Sequence, residues 1–278
     1  VTVEDMAHHT AAVARAKPHA LVVGDLPWLS YHVSPEDTVR NAATLIRAGA
    51  EAVKLEGGTK RIPMIEALVD AEIPVMGHLG LTPQSVHAMG GFKVQAKSSD
   101  AAMQLVADAK ALEHAGCFSI VLEGVPSEVA ALVTEAVNVP TIGIGAGPDC
   151  DGQVLVYHDV LGIEDRMAPK FVRRYADVKG VSVAAIAAYA ADVRTRSFPG
   201  PAESYHLAAD VAETQVRTRV DVTGHGNEKP EVAQGRPAVV RVWKRALATR
   251  LGECPTRAFG AKRKRVPGSK GLVQSVDG

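Results

Sequence analysis

Short apolar runs alternate with longer amphipathic stretches along residues 1–206 of the chain. The runs are rich in Val, Ile and Leu, as buried strands are, and the stretches between them have apolar positions at helical spacing. This alternation predicts parallel βαβ units in an α/β fold. The six predicted strands lie at residues 20–24, 51–55, 73–77, 117–122, 139–144 and 153–157. Helices are predicted at residues 3–15, 35–47, 60–71, 99–115, 127–137, 169–175 and 181–195, with a short helical turn at 82–86.

Two of the predicted helices begin with capping sequences. Thr2 is followed three residues later by Asp5, a pattern in which both side chains can accept hydrogen bonds at the start of a helix. Ser34 precedes Pro35, and a capping serine with proline at the first helical position is a strong start signal. The first two helices therefore have defined N-terminal ends.

Polar residues follow most of the predicted strands at the point where each strand ends. In a (β/α)8 barrel these ends converge on one face, where the active site lies. A doubly wound open sheet also binds ligands at its strand ends, but no Gly-x-Gly-x-x-Gly sequence opens a helix after the first strand. We therefore predict an α/β (β/α)8 TIM barrel, of which six strands are visible in the sequence. The strand-end residues are Asp25, Lys54 with Glu56, His78, Glu123 and the glycine-rich segment 143–147.

The composition agrees with a parallel sheet covered by helices. The chain of 278 residues is 46% hydrophobic but only 4% aromatic, which indicates a core of aliphatic side chains. No apolar run approaches the length of a bilayer span, so no membrane partner is expected. The cysteines are few, odd in number and widely spaced, which favours neither a disulfide framework nor a cysteine metal site. We expect a reduced, cytoplasmic protein.

Charge divides the chain into two parts. Residues 207–278 hold 14 of the 31 Lys and Arg but only 7 of the 31 Asp and Glu, and they include the basic run 262–265. The strand and helix rhythm also stops there. We therefore predict a partial TIM-barrel catalytic domain at residues 1–206 and a basic, disordered C-terminal extension at residues 207–278. A nucleic-acid partner for the basic run is the less favoured interpretation.

The strand-end residues favour magnesium-assisted chemistry on a small oxoacid. Mg²⁺ binds to one or two carboxylates plus water and ligand oxygens, and Asp25 and Glu56 on neighbouring strands suit that role. Glu123, held apart from the metal, could serve as a general base. Lys54 could neutralise a substrate carboxylate or an enolate oxygen. His78 adds a donor whose protonation is tunable near neutral pH.

Each of these residues also has a purely structural interpretation. Lys54 and Glu56 point to the same side of a strand and could form a plain ion pair at the sheet rim. Asp25 could be a turn residue, and His78 could be a structural histidine. The segment 143–147 could bind an anion through backbone amides or could equally be a tight turn. Glu123 is harder to explain structurally, since an unpaired buried carboxylate is unfavourable.

Several longer sequences along the chain resemble ketopantoate hydroxymethyltransferase, in order and at the right separations. The resemblance extends from residue 1 to about residue 206. The matching sequences are ALVVGDLP at 20–27, AVKLEGG at 52–58, GHLGLTPQSV at 77–86, GGFKVQ at 90–95, VLEGVP at 121–126, IGIGAG at 142–147, DGQVLV at 151–156 and KFVRRYA at 170–176.

This resemblance implies a fold, a reaction and a set of residue roles. The family is a TIM barrel that transfers a one-carbon unit from methylenetetrahydrofolate to 3-methyl-2-oxobutanoate, giving ketopantoate for pantothenate synthesis. By resemblance, Asp25 and Glu56 bind Mg²⁺, and Asp25 and Lys54 contact the oxoacid. His78 lines the same pocket, and Glu123 is the catalytic general base. The resemblance also implies a homo-oligomer, a decamer in the family.

The sequence departs from the family pattern in three places. Family members begin with about two further strands before the position matching Val1, and an Asp-Ser pair on the second completes their site. Ala96 stands where the family usually has glycine, and residues 207–278 match nothing in the family. A truncated, non-catalytic remnant is therefore one alternative. A magnesium-dependent oxoacid lyase on a related barrel is another, disfavoured because the matching sequences are specific to the first family.

Overall fold

The computed structural model describes residues 1–164 and 169–212. The strands are β1 (Val23–Asp25), β2 (Ala52–Glu56), β3 (Val75–Gly80), β4 (Ser119–Glu123), β5 (Thr141–Ile144) and β6 (Gly152–Gln153). The helices are α1 (Val3–Arg15), α2 (Pro35–Arg47), α3 (Ile62–Asp70), α4 (Ser99–His114), α5 (Ser127–Ala136), α6 (Tyr157–Val160) and α7 (Val178–Thr195). Short 3-10 turns lie at Thr59–Arg61, Pro83–Ser85 and Pro201–Glu203.

The order of strands in the sheet follows the order of the chain. All neighbouring strands are parallel, from β1 at one edge to β6 at the other. A doubly wound sheet would reverse its strand order partway, whereas a (β/α)8 barrel adds each new strand beside the last. The predicted α/β class and six strands of the barrel are therefore confirmed.

The helices begin where the capping sequences predict. In α1 the Asp5 amide donates to Thr2 Oγ1 at 3.2 Å, and the Thr2 amide donates to Asp5 Oδ2 at 2.9 Å, which completes a capping box. In α2 the Asp37 amide donates to Ser34 Oγ at 3.1 Å, with Pro35 in the first turn. These caps supply acceptors for backbone amides in the first turn and so define where each helix begins.

The core lies between the sheet and the helices and is almost entirely aliphatic. Leu55 in β2, Ile120 and Leu122 in β4 and Leu112 in α4 are fully buried. The prediction of an aliphatic core is confirmed. Among the residues that the structure describes, Tyr31 is the aromatic member of this core and lies in the segment between β1 and α2.

Two sequence predictions near the end of the sheet are wrong. The strand predicted at 153–157 is shorter, since β6 ends at Gln153 and α6 begins at Tyr157. The segment 169–175, predicted as a helix, is irregular apart from one turn at Lys170 and Phe171 and a bend at Tyr175. The ring of Phe171 packs against Gly145, and the Tyr175 amide donates to the Val160 carbonyl at 2.8 Å. These tertiary contacts take the place of helical hydrogen bonds.

The chain divides into two units, residues 1–185 and residues 186–278. In the second unit the edge of the Tyr189 ring contacts the Phe198 ring, with centroids 5.4 Å apart. The prediction for residues 207–278 lies outside the described residues, apart from 207–212. Within the part of the chain that the structure describes, no helix is both long enough and apolar enough to cross a bilayer.

Candidate active site

The register of the parallel strands brings the predicted site residues side by side. Asp25 ends β1 and is the register partner of Lys54 in β2. Glu56 ends β2 and is the partner of His78 in β3. Glu123 is the last residue of β4, the next strand in the sheet. Because the carboxyl ends of parallel strands meet at one edge, these side chains gather there.

The five side chains form one continuous series of contacts, which we call the strand-end cluster. Lys54 Nζ lies 2.7 Å from Asp25 Oδ1 and 3.9 Å from Glu56 Oε1. His78 continues the series, with Nδ1 at 3.5 Å from Glu56 Oε1 and Nε2 at 3.2 Å from Glu123 Oε2. The structure therefore brings every residue of the predicted site together.

Burial changes along the strand-end cluster. The side chains of Glu56 and His78 are each 3% exposed, and those of Glu123 and Lys54 are 15% and 18% exposed. Asp25 is 40% exposed, although its Oδ1 atom is buried. The cluster is thus most buried at Glu56 and His78 and most accessible at Asp25.

The surroundings of Asp25 favour its neutral form more than water does. Partial burial raises the pKa of the Asp25 carboxyl group, and the nearby Lys54 ammonium group opposes this rise without cancelling it. A carboxylate in this state gains strongly from a further positive charge. Binding of a cation beside Asp25 would supply that charge.

His78 is held between two carboxylates. Burial alone would lower its pKa, but the adjacent carboxylates of Glu123 and Glu56 outweigh burial and raise the pKa of His78. A neutral imidazole has one N–H donor, whereas the protonated ring has two. Only the protonated form can donate toward both carboxylates, so the geometry favours a charged histidine.

Several buried polar atoms of the cluster have spare hydrogen-bonding capacity. Among the described residues, Asp25 Oδ1 and both His78 nitrogens have ion-pair neighbours but no partner with hydrogen-bond geometry. No group of three or more His, Cys, Asp or Glu in the described chain is arranged to hold a metal ion. Mg²⁺ needs only one or two carboxylates, with water and substrate oxygens completing its octahedron. Asp25 and Glu56, at the ends of neighbouring strands, are the carboxylates that could meet this requirement.

Sequence reasoning missed a glutamine that joins the cluster. The backbone amide of Gln84 donates to Glu56 Oε2 at 3.0 Å, and its side-chain Nε2 donates to the Leu26 carbonyl at 2.9 Å. The Tyr31 hydroxyl donates to Gln84 Oε1 at 2.7 Å. Gln84 follows β3 and Tyr31 follows β1. Their place just after a strand end was the signal in the sequence that could have marked them as site residues.

The two glycines after β2 allow a second helix to hold the end of that strand. The carboxylate of Asp108 in α4 occupies the space that a Cβ of Gly58 would need. Asp108 Oδ1 accepts hydrogen bonds from the Thr59 amide at 3.1 Å and from the Thr59 hydroxyl. This contact fixes the chain directly after Glu56 and Gly57.

The glycine-rich segment 143–147 is explained by packing. Gly145 has a φ of +62° and lies against the Phe171 ring, and Gly147 has a φ of +81° and lies against Ser127. Both conformations are ones that glycine adopts readily. Packing therefore supports the tight turn, while anion binding by this segment stays a prediction.

A parallel sheet with strands in chain order and with catalytic-type side chains at its strand ends is the arrangement of a β/α-barrel enzyme. Phosphonopyruvate hydrolase in complex with oxalate and Mg²⁺ has a similar backbone, at 13% identity and a TM-score of 0.45, covering 80% of this chain and 77% of that chain. For 2,3-dimethylmalate lyase the identity is 18% and the TM-score 0.43, covering 81% of this chain and 79% of that chain.

Residues 1–201 match the model of the family described as ketopantoate hydroxymethyltransferase. The 3-methyl-2-oxobutanoate hydroxymethyltransferase 2 of Bradyrhizobium diazoefficiens is 58% identical over 207 residues, which cover 74% of this chain and 71% of that protein. The 3-methyl-2-oxobutanoate hydroxymethyltransferase of a Methylobacterium species is 60% identical over 207 residues, covering 74% and 72%. The chain belongs to the ketopantoate hydroxymethyltransferase family.

Proposed function

We propose that this chain transfers a hydroxymethyl group from methylenetetrahydrofolate to 3-methyl-2-oxobutanoate, giving ketopantoate, with Mg²⁺ at the strand-end cluster. Family membership supports the reaction, as do relatives of 58% and 60% identity that are named for it. The observation that carries the residue roles is the continuous contact series from Asp25 to Glu123.

Asp25 and Glu56 would hold the Mg²⁺, and the formal charges support this assignment. With Lys54 and His78 protonated, the five groups of the cluster carry one net negative charge. A divalent cation together with an oxoacid carboxylate adds one positive charge and brings the site to neutrality. Bound there, Mg²⁺ would supply Lewis-acid chemistry, which makes the C3 proton of a 2-oxoacid more acidic.

Lys54 would position the oxoacid at the accessible end of the cluster. Its ammonium group lies 2.7 Å from Asp25 and 3.9 Å from Glu56, so it can attract an anionic carboxylate to the same place. Its stem is largely buried, which limits the positions that the charge can take. An oriented substrate loses less entropy when it reacts.

Glu123 would act as the general base. Its Oε2 lies 3.2 Å from His78 Nε2, and a protonated His78 can donate to it and hold its orientation. Glu123 would remove the C3 proton of the oxoacid, and the enolate carbon would form the new bond to the methylene carbon of the folate. Both carbon–nitrogen bonds of that methylene would break, with water supplying the hydroxyl oxygen and the protons that the two folate nitrogens take up. Tetrahydrofolate would leave, and the C3 proton would end on the new hydroxyl group. The side chain is 15% exposed, so it is sheltered from bulk water but accessible from the site.

The first step can be tested without the folate. We expect the full chain with Mg²⁺ in D2O to exchange the C3 proton of 3-methyl-2-oxobutanoate, measured as loss of that proton signal by NMR. Glu123→Gln should slow this exchange by about 100- to 10,000-fold, the usual contribution of a general base. Glu128→Gln is the matched control, since Glu128 is an exposed glutamate in the first turn of α5.

Exchange that persists in Glu123→Gln would refute the assignment of the base. A wild-type chain that neither binds Mg²⁺ by calorimetry nor exchanges the proton would instead favour the non-catalytic remnant. Exchange followed by ketopantoate formation on addition of methylenetetrahydrofolate is the outcome expected for the transferase.

Two expectations rest on the family resemblance and stay predictions. One is the use of methylenetetrahydrofolate as the one-carbon donor, which the coupled assay above examines. The other is assembly into a homo-oligomer, decameric in the family. Light scattering behind size exclusion would measure the mass of the particle, and a monomer would contradict this second expectation.

A further inference from the structure

Gln84 connects three separate strand ends through its own polar groups. It lies in the 3-10 turn Pro83–Ser85, which follows β3. Its backbone amide donates to Glu56 at the end of β2, and its side-chain Nε2 donates to the Leu26 carbonyl just after β1. Its Oε1 accepts from the Tyr31 hydroxyl. The backbone donor and both ends of the side-chain amide are therefore engaged.

The contact with Glu56 sets the orientation of that carboxylate. Glu56 Oε2 accepts from the Gln84 amide at 3.0 Å, which leaves Oε1 turned toward His78 Nδ1 at 3.5 Å and Lys54 Nζ at 3.9 Å. The Glu56 side chain is nearly fully buried, so water does not compete for these positions. One oxygen is thus fixed to the backbone while the other faces the cluster.

The contact with Leu26 fixes the chain next to Asp25. The Leu26 amide donates to the Lys54 carbonyl at 2.9 Å, and the Leu26 carbonyl accepts from Gln84 Nε2 at the same distance. Leu26 is itself fully buried. The residue that follows Asp25 is therefore held through both its amide and its carbonyl group.

Tyr31 in turn holds the glutamine side chain in one orientation. Its ring is buried and its hydroxyl lies 2.7 Å from Gln84 Oε1. Burial, with the nearby Glu56 carboxylate, raises the pKa of Tyr31 above its usual range, so the phenol stays a donor. A donor at Oε1 requires that Nε2 point to Leu26, which rules out the flipped amide. The guanidinium group of Arg61 lies over the Tyr31 ring, 5.6 Å from its centroid.

We propose that Gln84 is a positioning residue that sets the placement of Asp25 and Glu56 relative to each other, and through them the affinity for Mg²⁺ and the fit of the oxoacid. It acts through these two carboxylates. The inference rests on the proposed function. It assigns to the turn after β3 a role that the strand-end residues alone do not supply.

Calorimetry of Mg²⁺ with the full chain, at saturating 3-methyl-2-oxobutanoate, tests the proposal. Gln84→Ala keeps the backbone amide that donates to Glu56 but removes the side-chain contacts with the Leu26 carbonyl and the Tyr31 hydroxyl, which hold that amide and the chain beside Asp25 in place. It should weaken Mg²⁺ binding about tenfold or more, the usual effect of losing a residue that orients metal ligands. Steady-state kinetics at saturating Mg²⁺ should then show kcat reduced and the KM for the oxoacid raised. Ser85→Ala is the matched control, because it truncates the next side chain of the same 3-10 turn.

A purely structural role would lower the melting temperature of Gln84→Ala without changing the Mg²⁺ Kd of the folded protein, and this result would overturn the proposal. Should Gln84→Ala fail to fold, Tyr31→Phe keeps the shape of the ring and removes one hydrogen bond. It should weaken Mg²⁺ binding about threefold, and an unchanged Kd would overturn the proposal equally. A wild-type chain that does not bind Mg²⁺ would overturn the proposed function together with this inference. Normal wild-type binding with an unchanged Gln84→Ala variant would overturn this inference alone.

Discussion

Gly80 lies where β3 passes the end of β4, and alanine at this position should both strain the backbone and displace the chain at Glu123. Gly80 has a φ of +90° and is the register partner of Glu123. A Cβ added to Gly80 would overlap the carbonyl oxygen of Glu123 and lie 2.7 Å from Val125 Cγ1. That carbonyl also accepts a hydrogen bond from the Leu81 amide at 2.7 Å.

The two effects of Gly80→Ala can be estimated separately. The unfavourable φ of an alanine there costs about 1–3 kcal/mol. Forcing a methyl group into filled space costs a further amount of about 1–3 kcal/mol, since a backbone oxygen cannot rotate away as a side chain can. The expected loss in the free energy of unfolding is therefore about 2–6 kcal/mol.

Gly91 provides a matched control for the backbone effect. It has a φ of +110°, and no described atom lies within 4 Å of the position of its Cβ. Gly91→Ala should therefore cost only the first contribution, about 1–3 kcal/mol. Urea unfolding followed by circular dichroism would measure both variants. Proton exchange at C3 of the oxoacid should also fall about 100-fold in Gly80→Ala, because Glu123 would be displaced.

Equal destabilisation of the two glycine variants would refute the steric argument, since only Gly80 has neighbours in the way. A destabilised Gly80→Ala with unchanged proton exchange would show that Glu123 keeps its position. In that case the carbonyl contact would not be connected to the catalytic geometry.

Two further substitutions test contacts that hold the ends of β2 and β5. Asp108→Ala should lower the free energy of unfolding by about 1–2 kcal/mol, because Asp108 accepts two hydrogen bonds from Thr59; an unchanged urea midpoint would contradict this. Hydrogen bonds from the Thr141 amide and hydroxyl lower the pKa of Asp151, so its contribution to stability is present above about pH 4 and is lost as the pH falls through the lowered pKa. Asp151→Ala should therefore be less stable than wild type at pH 7, with the difference narrowing in acid; a constant difference by thermal unfolding would argue against this linkage.

The strands and the strand-end cluster were predictable because their signals are local. The apolar residues of a run such as 52–56 indicate a buried strand, and the charged residues near its end, followed by two glycines, indicate where the strand stops. The barrel order of the strands then brings Asp25, Lys54, Glu56, His78 and Glu123 to one edge without further information. Asp25 and Lys54, separated by many residues in the sequence, meet at 2.7 Å for this reason.

The contacts of Gln84 could not be predicted in the same way. It reaches Glu56, Tyr31 and Leu26 across 28, 53 and 58 residues of sequence. Two of the groups involved, the backbone amide of Gln84 and the carbonyl of Leu26, belong to the main chain and leave no trace in residue type. The helix predicted at 169–175 fails for a related reason, since its helical pattern competes with tertiary contacts that the sequence does not reveal.

Ala96 shows how a departure from a family pattern can be understood physically. It stands where the resemblance leads one to expect glycine, and it has a φ of +54°, a conformation that glycine adopts at little cost. Alanine tolerates this region better than a branched residue does. Its methyl group packs against the hydrophobic core, which offsets part of the strain. Alanine therefore keeps the left-handed backbone conformation at this position, and its methyl group adds a contact with the core that glycine lacks.

The difference in exposure between Asp25 and His78 matches the two tasks of the proposed reaction. Binding an anionic oxoacid and a hydrated cation needs access to water, and Asp25, the most exposed member, lies at that end. Holding a general base in one orientation needs the opposite, and His78 beside Glu123 is nearly fully buried. The longest contact in the series, 3.9 Å between Lys54 and Glu56, lies between the two ends. Changes at Asp25 should therefore act first on binding, and changes at His78 on proton transfer.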